Sequence, residues 1–346
     1  MIHKRPARSV AILALLAALI GAILIAVSLG TVTMPLRNVA GILWSRLANP
    51  AALARWPETD VAIIWQLRLP RVLTAALVGA ALSAAGVVFQ GLLRNPMADP
   101  YIIGTSGGAA LGATLALLLP AGWVWLGFTP VPVFAFVGAI SAVLFVYNIA
   151  RVGPKTPITT LLLSGFAFSS LASAAMSFLM TVSGNTMRRI VLWMMGGISA
   201  TGWQPLAVVT PLVVLGIILA YVLSTELNAF LLGEEQAAHL GVHVERRKIG
   251  LLALGALLTG AAVSVSGLVG FVGLVVPHLS RLIFGPDHHT LLPAATLSGG
   301  IFLVLADLLA RILIAPSEIP VGVVTALLGA PFLIYLLRRS KKEYTF

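Results

Sequence analysis

The chain has 346 residues, 59% of them hydrophobic and only 10% charged, with mean hydropathy +1.02. Soluble domains carry about 25% charged residues, so the composition argues against a water-soluble fold, and the net charge of +11 reads as membrane orientation rather than nucleic-acid binding. Cysteine is absent, which excludes disulfides, thiolate metal sites and thiol catalysis.

A basic start (Lys4, Arg5, Arg8) leads into an uncharged run over 9–36. A secretory leader has an apolar core of only ~7–15 residues, so this run reads as a retained first span. Residues 34–70 hold Trp44, Trp56 and Trp65 among prolines and mixed charges, and read as an interfacial segment on the outer surface. The second span is 72–93. Residues 100–150, interrupted by Pro120, Gly122, Pro130 and Pro132, read as a helical hairpin giving the third and fourth. The fifth is 156–187. A short interfacial piece around Trp193 to Gly197 precedes the sixth, which Pro205 opens.

The stretch 226–248 is the longest polar segment between spans. Glu234 and Glu235 suit the first turn of a short helix, where the dipole favours acids, and Gly241 suits its stop. Residues 249–280 are long for one helix and short for two, with Gly267, Gly270, Gly273 and Pro277 as punctuation. Both tails are basic, and if both are cytoplasmic the number of spans is even. Splitting 249–280 into two short helices gives ten, with the last two over 288–306 and 319–337. The expected class is an all-α polytopic membrane protein forming one domain over 1–346, multi-pass, with both termini cytoplasmic.

Gly104, Ser106 and Gly108 match G-x-S-x-G, which raises an intramembrane serine hydrolase. No strand precedes the motif, and Gly104, Gly108 and Gly112 recur at every fourth residue, so helix packing is the better reading. No histidine cluster has metal-ligand spacing, and no catalytic residue is assigned. Asp307 is the one acid well inside an apolar run, with Arg311 four residues on as its natural partner. A secondary transporter needs coupling-ion sites that the spans do not offer. The outer surface keeps eight arginines (Arg37, Arg46, Arg55, Arg68, Arg71, Arg188, Arg189, Arg311) against four acids. That surplus fits either lipid headgroups or an acidic partner.

Longer strings make the reading specific. Leu67-Arg68-Leu69-Pro70-Arg71 precedes the second span, and Leu93-Arg94-Asn95-Pro96-Met97-Ala98-Asp99-Pro100 follows it. Later come Gly270 to Arg281 (GFVGLVVPHLSR), Ala306 to Arg311 (ADLLAR) and Glu318 to Pro331. In order and spacing, from about residue 60 to the end, these resemble the FecCD family of ABC-importer permeases.

The resemblance implies a type II importer architecture of about ten helices in a bacterial plasma (inner) membrane. It implies a homodimer resting on two ATP-binding cassette subunits that carry ATP and magnesium. A substrate-binding protein docks on the outer face, and the cargo is heme, a ferric siderophore or cobalamin. No cofactor is bound by the chain itself, and no nucleic-acid partner is implied. Carried over by position, Arg68, Arg71 and Arg311 are the docking arginines. Gly233, Glu234, Glu235, Leu240 and Gly241 belong to the ATPase-coupling helix. Asn95, Met97, Ile158 and Thr159 form the cytoplasmic gate, although Met97 and Tyr101 depart from the commoner Leu and Gly. Met176, Ser177 and Met180 are read as lining the path, and Arg188 and Arg189 as attracting an anionic cargo.

Overall fold

The computed structural model describes residues 5–30, 32–119, 129–198 and 202–340. Helix α1 (Arg5–Ser28) crosses the bundle. It is followed by α2 (Leu36–Ala48) and α3 (Glu58–Ala62), which lie at the end where α1 finishes, here termed the far end. Through a π-helical turn (Ile63–Arg68), α3 runs on into α4 (Leu69–Leu92). Then come α5 (Thr105–Leu118), α6 (Pro130–Ala150), α7 (Ile158–Val182), α8 (Met187–Met194) and α9 (Trp203–Val222). Two short helices, α10 (Ser224–Leu231) and α11 (Glu234–His239), lie at the near end, where α1 begins. The chain closes with α12 (Val244–Ser266), α13 (Val272–Phe284), α14 (His288–Ile312) and α15 (Val321–Ser340).

Seven of the described helices are long and apolar enough to cross a bilayer, and three shorter apolar ones (α5, α13, α15) complete the set of ten crossings expected from parity. The boundaries shift in three places. The second crossing is one helix of 35 residues starting at Glu58 rather than 72, so the interfacial segment 34–70 ends as helix and feeds directly into the span. The first crossing ends at Ser28. The stretch 249–280 does divide, but unequally: α12 is a full span of 23 residues, and α13 has only 13.

Helices as short as α5 and α13 reach only about 20 Å at 1.5 Å per residue, less than the ~30 Å hydrocarbon core. Irregular segments complete each crossing. Residues 93–104 fold back from the near end, so that Pro100 meets Gly273 beside the Leu82 carbonyl, midway along α4. The Tyr101 hydroxyl donates to the Val269 carbonyl at 2.9 Å, joining this segment to the 267–271 break. Non-helical backbone at membrane depth persists only where protein covers it. Here Ala98, Pro100, Ile103, Gly267 and Val269 are buried. Phe271 holds φ +68, an uncommon choice for a non-glycine residue, and caps α13.

The centre of the bundle is α4, most of it buried against α12, α13 and α14. It gets there by having no side chain where it crosses its neighbours. A Cβ at Gly79 would sit 2.1 Å from the Gly299 carbonyl oxygen of α14, and one at Gly86 would sit 1.9 Å from that of Gly273 on α13. Lipid supplies no hydrophobic drive between helices, so such backbone-to-backbone approach provides the packing. Gly108 and Gly138 do the same between α5 and α6. By contrast α7 and α9 are only about a fifth buried and carry large exposed apolar side chains, Phe166, Leu171 and Phe178 among them.

Candidate functional site

Two polar assemblies occupy opposite ends of the bundle. At the far end the final carbonyls of α1 lack intrahelical partners, and two buried arginines supply them. Arg68 Nη1 donates to Val27 O at 2.9 Å and Ser28 O at 3.1 Å, and Nη2 donates to Val32 O. Arg311 Nη2 donates to Ala26 O at 3.0 Å and Nη1 to Leu29 O at 3.4 Å. A cation at the negative end of a helix dipole is favoured twice over, by charge and by hydrogen bonding. Gly30 makes room: a Cβ there would stand 2.8 Å from Arg68 Nη2.

Asp307, fully buried, lies between two guanidinium groups. It accepts from Arg311 Nε at 3.0 Å and from Arg71 Nε at 3.1 Å, with Arg71 Nη2 in ion-pair contact at 3.0 Å. Arg71 turns its outer edge to half-exposed Glu318 as a bidentate pair at 3.0 and 2.9 Å. Arg68, Arg71, Arg311, Glu318, Gly30, Val32, Ile63 and Leu67 line a cavity of about 350 Å³. The three arginines read from the sequence are thus brought together. Arg68 and Arg311 are committed to α1, and Arg71 is held between buried Asp307 and Glu318, the more exposed charge at the opening. Nearby, Trp203 Nε1 donates to the Trp65 carbonyl at 2.9 Å and the two indoles stack at 4.8 Å, with the Arg46 guanidinium on the Trp65 ring. The exposed Arg188 and Arg189 lie in the first turn of α8, beyond α7.

At the near end, α11 begins after Gly233 and carries Glu234 and Glu235 in its first turn, as the dipole requires. It ends in a Schellman closure: Gly241, at φ +85, donates to Ala238 O at 2.9 Å and Val242 to Ala237 O at 3.0 Å. Leu232 and Leu240, on either side of this helix, are 62% and 66% exposed, so two apolar side chains face away from the chain. Beneath α11, Lys248 is 1% exposed. Its Nζ reaches Glu234 and Glu245 at 3.1 Å each and the Thr156 carbonyl at 2.9 Å. Alongside, Asp287 binds Arg8 at 3.3 Å and Asn228 at 2.9 Å, closing α1 onto α14 and α10.

The residues assigned to the gate share this end. Asn95 caps its own loop by accepting the Met97 N–H at 2.9 Å, and the preceding Arg94 (φ +49) extends toward Gly233. Half-buried Ile158 and exposed Thr159 open α7, with Pro157 between them and Thr156. Of the path residues, Ser177 is on the exposed face of α7, Met180 is half-buried, and Met176 is 5% exposed and turned into the chain. Ser170, Ser173 and Thr181 share the exposed face with Ser177. Their spacing of three and four was visible in the sequence as a hydroxyl stripe but was not singled out. Lys248 was also missed: it ends the charged run 245–248, the one local signal was Glu245 three residues back, and Glu234 and Thr156 lie 14 and 92 residues away. Gly108 of the G-x-S-x-G string packs on Gly138 of α6, and Gly112, four residues on, packs on Phe134, the helix-packing reading.

Comparison with known proteins agrees with this arrangement. The family model described as the FecCD transport family matches residues 16–339. The chain is 49% identical to a cobalamin import system permease protein of Halobacterium salinarum, over 82% of this chain and 75% of that protein. It is 40% identical to a hemin transport system permease protein of Yersinia pestis, over 93% of this chain and 94% of that one. A solved structure described as an inward-facing metal-chelate-type ABC transporter superposes with a TM-score of 0.81 at 31% identity, covering 95% of this chain and 98% of that one. With seven long and three shorter apolar helices among the described residues, an arginine-lined far end and a capped near-end helix, and matched along almost its whole length, the chain belongs to the FecCD transport family of ABC-importer permeases, which are transport subunits and not enzymes.

Proposed function

We propose that this chain is the membrane path through which an ABC importer moves a metal chelate of the heme, ferric-siderophore or cobalamin class into the cytoplasm. The observation that carries the reading is the pairing of two unlike polar ends on one bundle. A partly open, arginine-lined cavity at the far end suits an acidic binding protein, with Arg71 as the group that meets it and Arg68 and Arg311 as its fixed support. A helix with a carboxylate-bearing first turn and flanking exposed leucines at the near end suits the cleft of an ATPase subunit.

In this reading the near end is cytoplasmic, which places the far-end arginines outside, and the membrane is the plasma membrane. The uncovered faces of α7 and α9 face a second copy of the chain or lipid, and the hydroxyl stripe of α7 lines the path between copies. Asn95, Met97, Ile158 and Thr159 close it on the cytoplasmic side. Exposed Arg188 and Arg189 stand at its mouth, where propionates or an anionic chelate would pass. ATP and magnesium act on the partner subunit.

The test is uptake into proteoliposomes holding the permease with its ATPase, offered binding protein loaded with cobalamin, heme or a ferric siderophore. Uptake of one cargo that requires ATP and is lost in Arg71→Glu supports the reading. Uptake driven by an ion gradient without ATP or binding protein refutes it.

A further inference from the structure

We infer that Lys248 is the positioning residue that ties the ATPase-facing helix α11 to the gate-bearing start of α7. The inference rests on the assignment of α11 and the gate made above, and concerns how the two are joined.

An ammonium group has three N–H donors, and here three elements supply one acceptor each. Glu234 belongs to the first turn of α11, Glu245 to the first turn of α12, and the Thr156 carbonyl to the segment entering α7. The tie to Thr156 is doubled, because Glu245 Oε2 also accepts the Thr156 N–H at 3.1 Å. Thr156 is itself buried, and Ile158 and Thr159 follow it after one residue, Pro157. One nitrogen atom therefore stands between a carboxylate on the coupling helix and the backbone of the gate.

The helices that α7 packs against are α5 and α6, so its ordinary side-chain contacts lead away from α11. The polar junction gives it a separate connection. That connection is stiff for two reasons. Lys248 is out of water, where an ion pair is costly to open once formed. Lys248 is the buried member of both pairs, so withdrawing either carboxylate leaves its ammonium less compensated out of water. Motion imposed on α11 would pass through Nζ to residues 156–159.

The experiment uses the full complex in proteoliposomes and reads cargo imported per ATP hydrolysed. Lys248→Met keeps the length of the side chain and removes the charge; Lys248→Arg keeps the charge; Glu234→Gln removes the charge that holds α11 while leaving the Lys248 bond to Thr156. The expected result is a fall of about tenfold in that ratio for Lys248→Met and Glu234→Gln, within the usual range of coupling between sites, with ATP hydrolysis continuing. Lys248→Arg should recover most of it. A residue that merely stabilised the fold would lower the yield of complex and leave the ratio intact. Wild-type ratios in Lys248→Met overturn the inference, and should that variant fail to assemble, a wild-type ratio in Glu234→Gln overturns it. Failure of the unaltered complex to couple ATP to import would instead refute the importer reading itself.

Discussion

Asp307 offers a comparison that separates buried from exposed electrostatics around one arginine. Arg71 holds two carboxylates, Asp307 with no exposed surface and Glu318 with 48% of its side chain exposed. Asp307→Asn retains shape but leaves Arg71 and Arg311 facing an amide. Removing one partner of a buried ion pair costs about 3–5 kcal/mol, because the remaining charge stays out of water. Glu318→Gln removes an exposed partner, worth no more than about 1 kcal/mol. For a chain of this size about 2 °C of melting temperature accompanies each kcal/mol, giving a fall of about 6–10 °C for Asp307→Asn against about 2 °C or less for Glu318→Gln. Thiol-reactive dyes are useless on a protein without cysteine, so unfolding is followed by tryptophan fluorescence, with the stacked Trp65 and Trp203 at the same end. Equal shifts for the two variants, or a fall under about 3 °C for Asp307→Asn, would refute the claim that burial decides the value of these pairs.

Gly79→Ala should destabilise the detergent-purified chain by about 1–3 kcal/mol, since the new methyl meets the Gly299 carbonyl at 2.1 Å and backbone must move. Gly250→Ala, where nothing lies within 4 Å, serves as the control and should melt no lower than wild type. Gly241→Ala should loosen the Schellman closure of α11 by about 1–2 kcal/mol, since alanine resists φ +85, and reduce copurification of the ATPase subunit. Burial would raise the pKa of Asp287, but its bonds to Asn228 and the His289 N–H, with the charges of His289 and Arg8, outweigh this and hold it below the ordinary 3.8. A depressed carboxyl contributes its stabilisation fully above its unfolded pKa and loses it as pH falls through the folded one. Melting curves of wild type and Asp287→Asn should therefore differ at pH 6 and converge on acidification below about 4; a gap unchanged at acid pH would contradict this.

The apolar helices were legible because charge-free runs mark them, and the described ones agree with a count of about ten. Their boundaries were not. The start of the second span was placed at 72 because Arg68 and Arg71 look like polar loop residues. In the fold both guanidinium groups find partners from other helices, so helix continues through them from Glu58. The glycines in 249–280 announced a break, but only tertiary contact with residues 93–104 shows that the break is buried and that α13 begins midway. The helix over 234–239 and its glycine stop followed from local rules of dipole and capping, and those hold at short range. Arg68, Arg71 and Arg311 were grouped through resemblance. Nothing local foretold that two of them would close the C-terminus of α1, because those carbonyls lie about 40 and 285 residues away in sequence. Of the residues named near the fifth span as lining the path, Ser177 is exposed and Met176 is buried, since adjacent helical residues point about 100° apart.

The glycine crossings around α4 also govern how this sequence can drift. Where one backbone rests on another, every replacement adds atoms where none fit, so Gly79, Gly86 and Gly299 admit no gradual path of change. A leucine on the bare side of α7 has no such neighbour, and many apolar residues would serve there equally well. Variation among descendants of this chain should therefore collect where the outward faces of α7 and α9 meet lipid, while the axis at α4 stays fixed. A deep mutational scan would show the bundle as a rigid spine with permissive flanks, independent of which cargo the flanks admit.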